Sequence, residues 1–447
     1  MSLSSNKSKV KAKNPFLMPI KYPEYGKLWF AQLVNNIGNQ FTFLALQFLV
    51  FSLTHSTVAM GILAIFQVLP MILIGPYAGV VIDRIDRKRL MVVSNIVNAI
   101  WLVLIPLSAV VSYRVEAIYV LAFCMGLTTR FFLPSRSASI PKLVDKSDLL
   151  SANSLSAATF QVSALIGPVT AGLLTAKFGY DIAFYIDMTG FLISAGLIFL
   201  IRIDLRPGME SDFMNKKPYQ KTNTKKSTVK GDLIESFVFL KNFPAMTFII
   251  AIFGLLLFSF GAVIVLMVPY LYEIPLTSFI SSPEEAFGVM GSIAAIMGLF
   301  VSVVLGSRPH LSYPASLITL CSLIAAFIMI GFVFATDFYT LAFFWMWFGM
   351  IQVFVMIPFQ TISQETIPDL LRGKVISFFN IIITVAQILG MALGGFIAEL
   401  STIHMTFMIF GLILLLSSIV FFILLFVKKF EMRLNLRREL YYNVVEN

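Results

Sequence analysis

Two ionisable side chains lie inside long apolar runs of this sequence. Arg130 falls near the middle of the fourth apolar run, and Asp187 lies inside the sixth. A charged side chain at the centre of a bilayer costs roughly 2.5–3.5 kcal/mol on the insertion scale, so both should face other helices or a water-filled cavity. Asp187, with Arg130 as its partner group, is the candidate for proton coupling. The alternative is that Asp187 only pairs with Arg130 and never titrates.

Uncharged polar side chains form a second candidate set, concentrated in the first apolar run. Asn35 and Asn39 are four residues apart, as are Asn36 and Gln40, so each pair shares one flank of a helix. Such groups either line a polar cavity or form hydrogen bonds between helices. The residues that we expect to line a substrate cavity are Asn35, Asn36, Asn39, Gln40, Gln161, Gln352 and Gln387.

The composition indicates that lipid solvates much of the chain. Of the 447 residues, 58% are hydrophobic and only 13% are charged, whereas a soluble domain carries about 25% charged residues. Apolar runs of about 20 residues are long enough to cross a bilayer, and they must be helical because lipid offers no partner for a free backbone amide. We predict spans at 28–52, 57–81, 90–112, 117–139, 150–176, 180–203, 243–270, 286–306, 312–335, 337–360, 374–399 and 404–427.

The basic residues are concentrated on one side of these spans. The loops on the other side hold only the cations Arg114 and Lys177, against the acids Glu116, Asp181, Glu273, Glu284, Glu285, Asp337 and Glu399. Loops rich in Lys and Arg stay on the cytoplasmic side of a membrane. This asymmetry predicts an inner (cell) membrane protein with both termini in the cytoplasm. The formal net charge of +10 then indicates contact with anionic lipid rather than with nucleic acid.

A polar, lysine-rich stretch at 204–235 separates six spans from six. It predicts a cytoplasmic tail at 1–27, a six-helix half at 28–203, a basic linker at 204–242, a second half at 243–427 and a second cytoplasmic tail at 428–447. Residues 165–174, in the fifth span, are similar to residues 388–397, in the eleventh. This similarity indicates an internal repeat, although glycine-rich helices can also resemble one another by chance. The predicted fold is therefore all-α, with twelve transmembrane helices in two parallel six-helix halves.

The loop after the second span carries a sequence signature. Residues 79–89 read GVVIDRIDRKR, which resembles the G-x-x-x-D-R-x-G-R-R/K signature of the major facilitator superfamily at the same place, with Asp86 where the family usually has glycine. The resemblance implies that Asp83 sits against the start of the eleventh span, where the partial positive charge of a helix N-terminus favours a carboxylate. It implies a conformational latch made of Gly79, Asp83, Arg84, Arg87, Lys88 and Gly373.

A second motif lies in the fifth span. Ser163, Gly167, Pro168 and Gly172 resemble the G-x-x-x-G-P-x-x-G-G pattern of the family's drug:proton antiporters, with Ser163 and Ala171 replacing two glycines. The proline bends a helix and the small residues allow close packing, so a purely structural role is the alternative. Residues 126–149 are similar to the branch that holds macrolide and siderophore exporters.

The resemblance implies a secondary active transporter that exports an amphipathic, drug- or siderophore-like compound by alternating access, coupled to protons. The alternatives are an importer or flippase of a lipid-like or peptide substrate, and a non-transporting receptor or scaffold. We expect no enzyme and no cofactor or metal, because the three histidines, His55, His310 and His404, are scattered at span ends and no phosphate-binding loop is present. The expected partners are a small-molecule substrate, a proton and the bilayer, with the chain acting as a monomer.

Overall fold

Fourteen α-helices account for most of the part of the chain that the computed structural model describes, which is residues 17–82, 84–112, 114–206, 229–306, 313–367 and 369–427. The helices are α1 (Met18–Lys21), α2 (Pro23–Thr54), α3 (Thr57–Ile82), α4 (Arg87–Ser112), α5 (Val115–Leu143), α6 (Leu149–Phe178), α7 (Tyr180–Phe199), α8 (Val229–Asn242), α9 (Pro244–Glu273), α10 (Pro283–Gly306), α11 (Pro314–Val333), α12 (Phe338–Thr366), α13 (Asp369–Leu400) and α14 (Ile403–Val427).

Twelve of these helices, all except α1 and α8, are long and apolar enough to cross a membrane. The predicted all-α fold class is confirmed: α2–α7 form one six-helix half and α9–α14 form the other. We call the end of the bundle where α2 begins the basic end, and the opposite end the acidic end, after the charges of their loops. Because the spans alternate in direction, the start of α2 and the end of α14 lie at the same end of the bundle, the basic end.

Two elements differ from the segments predicted at the basic end. The first span begins at Pro23, inside the predicted tail, because proline is well tolerated in the first turn of a helix. The short helix α1 precedes it, and Lys21 there forms an ion pair with Asp148. The hydrogen bond that Lys21 donates to the Asp148 carboxylate raises the pKa of the Lys21 ammonium group. The predicted linker contains α8, a helix whose residues Ile234 and Phe237 form an exposed apolar face.

Small residues allow α9 and α13 to cross closely within the second half. A Cβ atom added at Gly261 would contact the Gln387 carbonyl oxygen, and one added at Gly390 would overlap the Phe258 carbonyl oxygen. These atoms belong to backbone, which cannot rotate away as a side chain can. The glycines therefore set the separation of the two helices.

We expect Gly390→Ala to destabilise the protein by about 1–3 kcal/mol, because the added methyl group must push the two helices apart. Thermal unfolding of the purified protein in detergent measures this as a lower midpoint temperature. Gly196→Ala is the matched control, since a Cβ at Gly196 meets no atom within 4 Å. Equal midpoints for the two variants would contradict the close crossing of α9 and α13.

Candidate transport site

A carboxylate from one half caps a helix of the other half at the acidic end. Glu399, at the end of α13, accepts hydrogen bonds at Oε2 from the Ser56 hydroxyl at 2.9 Å, the Thr57 amide at 2.8 Å and the Thr57 hydroxyl at 3.1 Å. The amide of Val58 lies 3.4 Å from the same oxygen. The first amides of a helix have no partner within the helix, so a carboxylate there stabilises it. Glu399 therefore joins α13 to the start of α3.

A second polar contact joins the halves nearby. The Tyr180 hydroxyl, at the start of α7, donates to Glu284 Oε1 of α10 at 3.0 Å, and the Tyr272 hydroxyl lies 3.4 Å from the same oxygen. Phe48 of α2 packs edge-on against Phe287 of α10, with ring centroids 5.8 Å apart. These contacts close the acidic end with aromatic rings and hydrogen bonds.

The fifth-span motif forms the next layer of contact between the halves. Pro168 of α6 packs against α10 at Gly288 and Gly291, where an added Cβ would lie 2.5 Å and 2.9 Å from atoms of the proline. An added Cβ at Gly172 would lie 2.5 Å from the Glu284 carbonyl oxygen. The Ser163 hydroxyl donates within its own helix, to the Thr159 carbonyl oxygen at 2.9 Å. In this structure the motif therefore packs α6 against α10.

A cavity of about 330 Å³ lies between the halves, on the basic side of this contact. Its lining comes from α2, α6, α9, α10 and α12, and its polar side chains are three glutamines and one tryptophan. The lining residues are Gln40, Phe43, Leu44, Phe160, Gln161, Ala164, Pro168, Ile264, Phe287, Gly291, Ala294, Ala295, Gly298, Trp345, Phe348, Gly349, Gln352 and Val353. None of these lining residues is ionisable, so the cavity offers apolar area and a few orienting hydrogen bonds.

The structure brings together three of the residues predicted to line a cavity, Gln40, Gln161 and Gln352. Asn35 instead lies inside the first half, only 3% exposed, where its amide lies 3.3 Å from Asn95 Oδ1. The Asn95 amide in turn donates to the Ser194 hydroxyl at 2.7 Å. In this structure Asn35 therefore links α2 to α4 and, through Asn95, to α7. The remaining three, Asn36, Asn39 and Gln387, are not among the residues that line this cavity.

Asp187 is fully buried between α7 and α2. The Thr42 hydroxyl donates to its Oδ2 at 2.5 Å, whereas its Oδ1 accepts no hydrogen bond and lies against Gly38. Arg130 is half-buried on α5, and the two side chains do not pair. The alternative in which Asp187 is permanently neutralised by Arg130 is therefore not found in this structure. A carboxyl group enclosed in this way is relieved of a desolvation cost when it binds a proton.

Two cations of the signature loop donate hydrogen bonds to backbone carbonyl oxygens at the basic end of the first half. Arg87 Nη1 donates to the Ala138 carbonyl oxygen at 2.9 Å, and Lys88 Nζ donates to the Ile201 carbonyl oxygen at 2.7 Å, while Arg84 is exposed. Asp86, which replaces the usual glycine, accepts from the Lys88 amide at 3.0 Å and so caps the start of α4. Asp83 lies outside the described residues. Its contact with the start of α13, near Gly373, and the part that Gly79 takes in the latch stay predictions.

Comparison with known proteins decides the family. The profile of the Major Facilitator Superfamily matches residues 28–386 and 315–443. The chain belongs to this superfamily. The resemblance seen in the sequence is thereby confirmed, and this member of the superfamily, which we call the facilitator without implying passive transport, is a membrane transporter rather than an enzyme.

Two relatives and one solved structure show how far the similarity extends. The uncharacterized MFS-type transporter YfiS of Bacillus subtilis (strain 168) is 28% identical over 403 residues, which are 87% of this chain and 90% of that protein. The multidrug efflux pump Tap of Mycolicibacterium fortuitum is 24% identical over 414 residues, 88% and 93% of the two chains. The crystal structure of the nucleoside transporter NupG matches 89% of this facilitator and 99% of its own chain with a TM-score of 0.68 and 14% identity, which shows the shared fold.

Sequence reasoning missed the role of Glu399 in this facilitator. It appeared only as one of the acids that mark the acidic end. The sequence does indicate the start of a helix, because Ser56 and Thr57 are residue types that begin helices. It does not indicate the carboxylate that caps this helix, which comes from more than three hundred positions later. That contact depends on the packing of the two six-helix halves and leaves no local pattern.

Proposed function

We propose that this facilitator exports amphipathic organic compounds across the cell membrane, driven by the inward movement of protons. The observation that carries the proposal is the cavity between the halves, with its aromatic rings and three glutamine amides. Such a lining suits molecules with large apolar faces and scattered hydrogen-bonding groups, because it demands no fixed charge partner. The relative named as a multidrug efflux pump supports export.

The proposed orientation has the basic end and both termini in the cytoplasm, because Lys and Arg accumulate in cytoplasmic loops. With this orientation, the contacts of Glu399, Tyr180 and Pro168 close the outer side of the cavity. Within this proposal, the structure is a state closed on the outer side. The halves at 28–203 and 243–427 would rock against each other, separating these contacts, to reach the outward-open state. One chain supplies the whole cavity, which supports a monomer.

The proposed route of coupling runs through α2. Gly38 and Thr42 face Asp187 on one side of this helix, and Gln40 and Phe43 line the cavity on another. A proton bound at Asp187 changes the charge directly behind the cavity wall. The position of α2, and with it the preference for one of the two states, would respond to that change.

The test is transport into inside-out membrane vesicles with an imposed proton gradient, using a panel of neutral, cationic and anionic amphipathic compounds. We expect at least one compound to accumulate when the lumen is acidic, and the accumulation to collapse when an uncoupler dissipates the gradient. Accumulation only in right-side-out vesicles would indicate import instead. No gradient-dependent movement of any compound in either orientation would contradict proton-coupled transport.

A further inference from the structure

A pocket at the basic end lies apart from the transport cavity, between the start of α4 and the residues that follow α7. Its volume is about 530 Å³. Its lining combines charged groups with apolar side chains and consists of Asp86, Lys88, Arg89, Val92, Val93, Phe199, Arg202, Ile203, Asp204, Leu205 and Arg206. The proposed transport mechanism makes no use of it.

Hydrogen bonds hold the chain at 201–206 in place, so the pocket is preformed. Lys88 Nζ donates to the Ile201 carbonyl oxygen at 2.7 Å, and the Arg202 amide donates to Glu24 Oε2 at 2.9 Å. Lys142 Nζ donates to the Arg206 carbonyl oxygen at 2.5 Å. The backbone of this segment is thereby fixed to α2, α4 and α5, and a ligand would not have to order it.

The charge in the pocket is positive, since four cations face two carboxylates. Asp86 Oδ2 lies 3.7 Å from Arg89 Nε and 3.8 Å from Arg206 Nε, and Asp204 Oδ1 also lies 3.8 Å from Arg206 Nε. These separations are longer than hydrogen bonds. Arg202, whose side chain is exposed, interacts electrostatically with Glu24 but forms none of the ion pairs described at the pocket. Guanidinium donors therefore remain for an anion with several oxygen atoms.

Exposed apolar side chains of α4 and α7 continue from the pocket along the two helices, and we call this surface the groove. On α4, exposed side chains recur every three or four residues at Val93, Ile96 and Ile100. On the neighbouring α7, Phe199 is 67% exposed, and a Cβ added at Gly196 would meet no atom within 4 Å. The missing side chain leaves open space on this exposed face of α7, which we call the notch. An acyl chain fits such a groove, whereas a water-soluble anion gains nothing from it.

We propose that this pocket binds the phosphate of an anionic phospholipid, with the acyl chain lying in the groove between α4 and α7. Arg202 and Arg206 contact the phosphate, and Arg89 faces the rest of the headgroup. Basic pockets beside membrane helices are suited to such headgroups. The lipid is favoured over free phosphate because the cations and the apolar groove are continuous.

The test counts lipids bound to the full-length, delipidated protein by native mass spectrometry. Dioleoyl phosphatidylglycerol and dioleoyl phosphatidylcholine are the probes. We expect the wild type to retain one phosphatidylglycerol at concentrations where no phosphatidylcholine remains. The double variant R202Q/R206Q should bind phosphatidylglycerol at least about tenfold more weakly, since each cation near an anionic lipid contributes about fivefold. Lys241→Gln is the matched control: Lys241 is an exposed cation at the same end but in α8.

A second variant separates the lipid from free phosphate. Gly196→Leu fills the notch without touching the cations, so we expect weaker retention of phosphatidylglycerol and unchanged thermal stability. Equal retention of the two lipids by the wild type would overturn the proposal, as would wild-type binding of phosphatidylglycerol by R202Q/R206Q. Displacement of the lipid by millimolar inorganic phosphate, together with no effect of Gly196→Leu, would assign the pocket to a soluble anion instead.

Discussion

Asp187→Asn is expected to abolish substrate flux driven by a proton gradient, while binding of substrate to the cavity persists. Asparagine keeps the size of the side chain and can still accept the hydrogen bond from Thr42, but it cannot take up a proton. Asp187 lies behind α2 rather than in the cavity lining, so the substrate loses no contact. Flux in vesicles with an acidic lumen should fall to the level measured without a gradient.

Asp181→Asn is the matched control for this prediction. Asp181 lies in the first turn of the same helix, α7, and is exposed, so its replacement should leave driven flux unchanged. Substrate binding to both purified variants, measured by calorimetry, shows whether the cavity is intact. Wild-type accumulation by Asp187→Asn would remove Asp187 from the coupling mechanism.

Glu399→Gln is expected to shift the protein toward the state that is open at the acidic end. The carboxylate joins α13 to the first amides of α3, and in the proposed mechanism these hydrogen bonds break when that end opens. Glutamine keeps an acceptor but loses the negative charge. Because Glu399 is exposed, water screens the interaction, and about 1 kcal/mol is a fair magnitude. The ratio of open to closed protein should rise about fivefold.

The substitution Phe43→Cys, in the cavity lining, reports this shift. It is made in a parent chain in which Cys124 and Cys321 are replaced, so that only this thiol can be labelled. An impermeant maleimide added from the acidic side should label it faster in Glu399→Gln than in the parent chain. Glu285→Gln is the control, because Glu285 accepts from the Ser281 amide at 2.9 Å within its own half. Equal labelling rates in Glu399→Gln and Glu285→Gln would show that the contact between the halves does not hold the end closed.

The spans were predictable because a bilayer leaves the backbone few choices. Every long apolar run must be a helix, and each run was found as one. The start of the first span at Pro23 was not foreseen, since its first residues are polar and lie outside the apolar run. Hydropathy finds the buried length of a helix but not its polar ends.

The candidate site was predictable only in part. A polar side chain in an apolar run must face protein or water, and Gln40, Gln161 and Gln352 do lie at the cavity. The same argument could not separate them from Asn35, because the sequence does not tell which flank of α2 faces its own half. The pairing of Arg130 with Asp187 was likewise open, since it depends on the rotation of α5 and α7 about their axes.

The central claim is that the two halves move as bodies about a cavity that is closed at the acidic end in this structure. Paired spin labels test it most directly: one pair at Phe178 and Phe279 spans the acidic end, and one at Arg84 and Ile234 spans the basic end. With substrate and a proton gradient, we predict that the acidic-end distance lengthens while the basic-end distance shortens. Distances that stay unchanged in vesicles that are actively transporting substrate would contradict the mechanism.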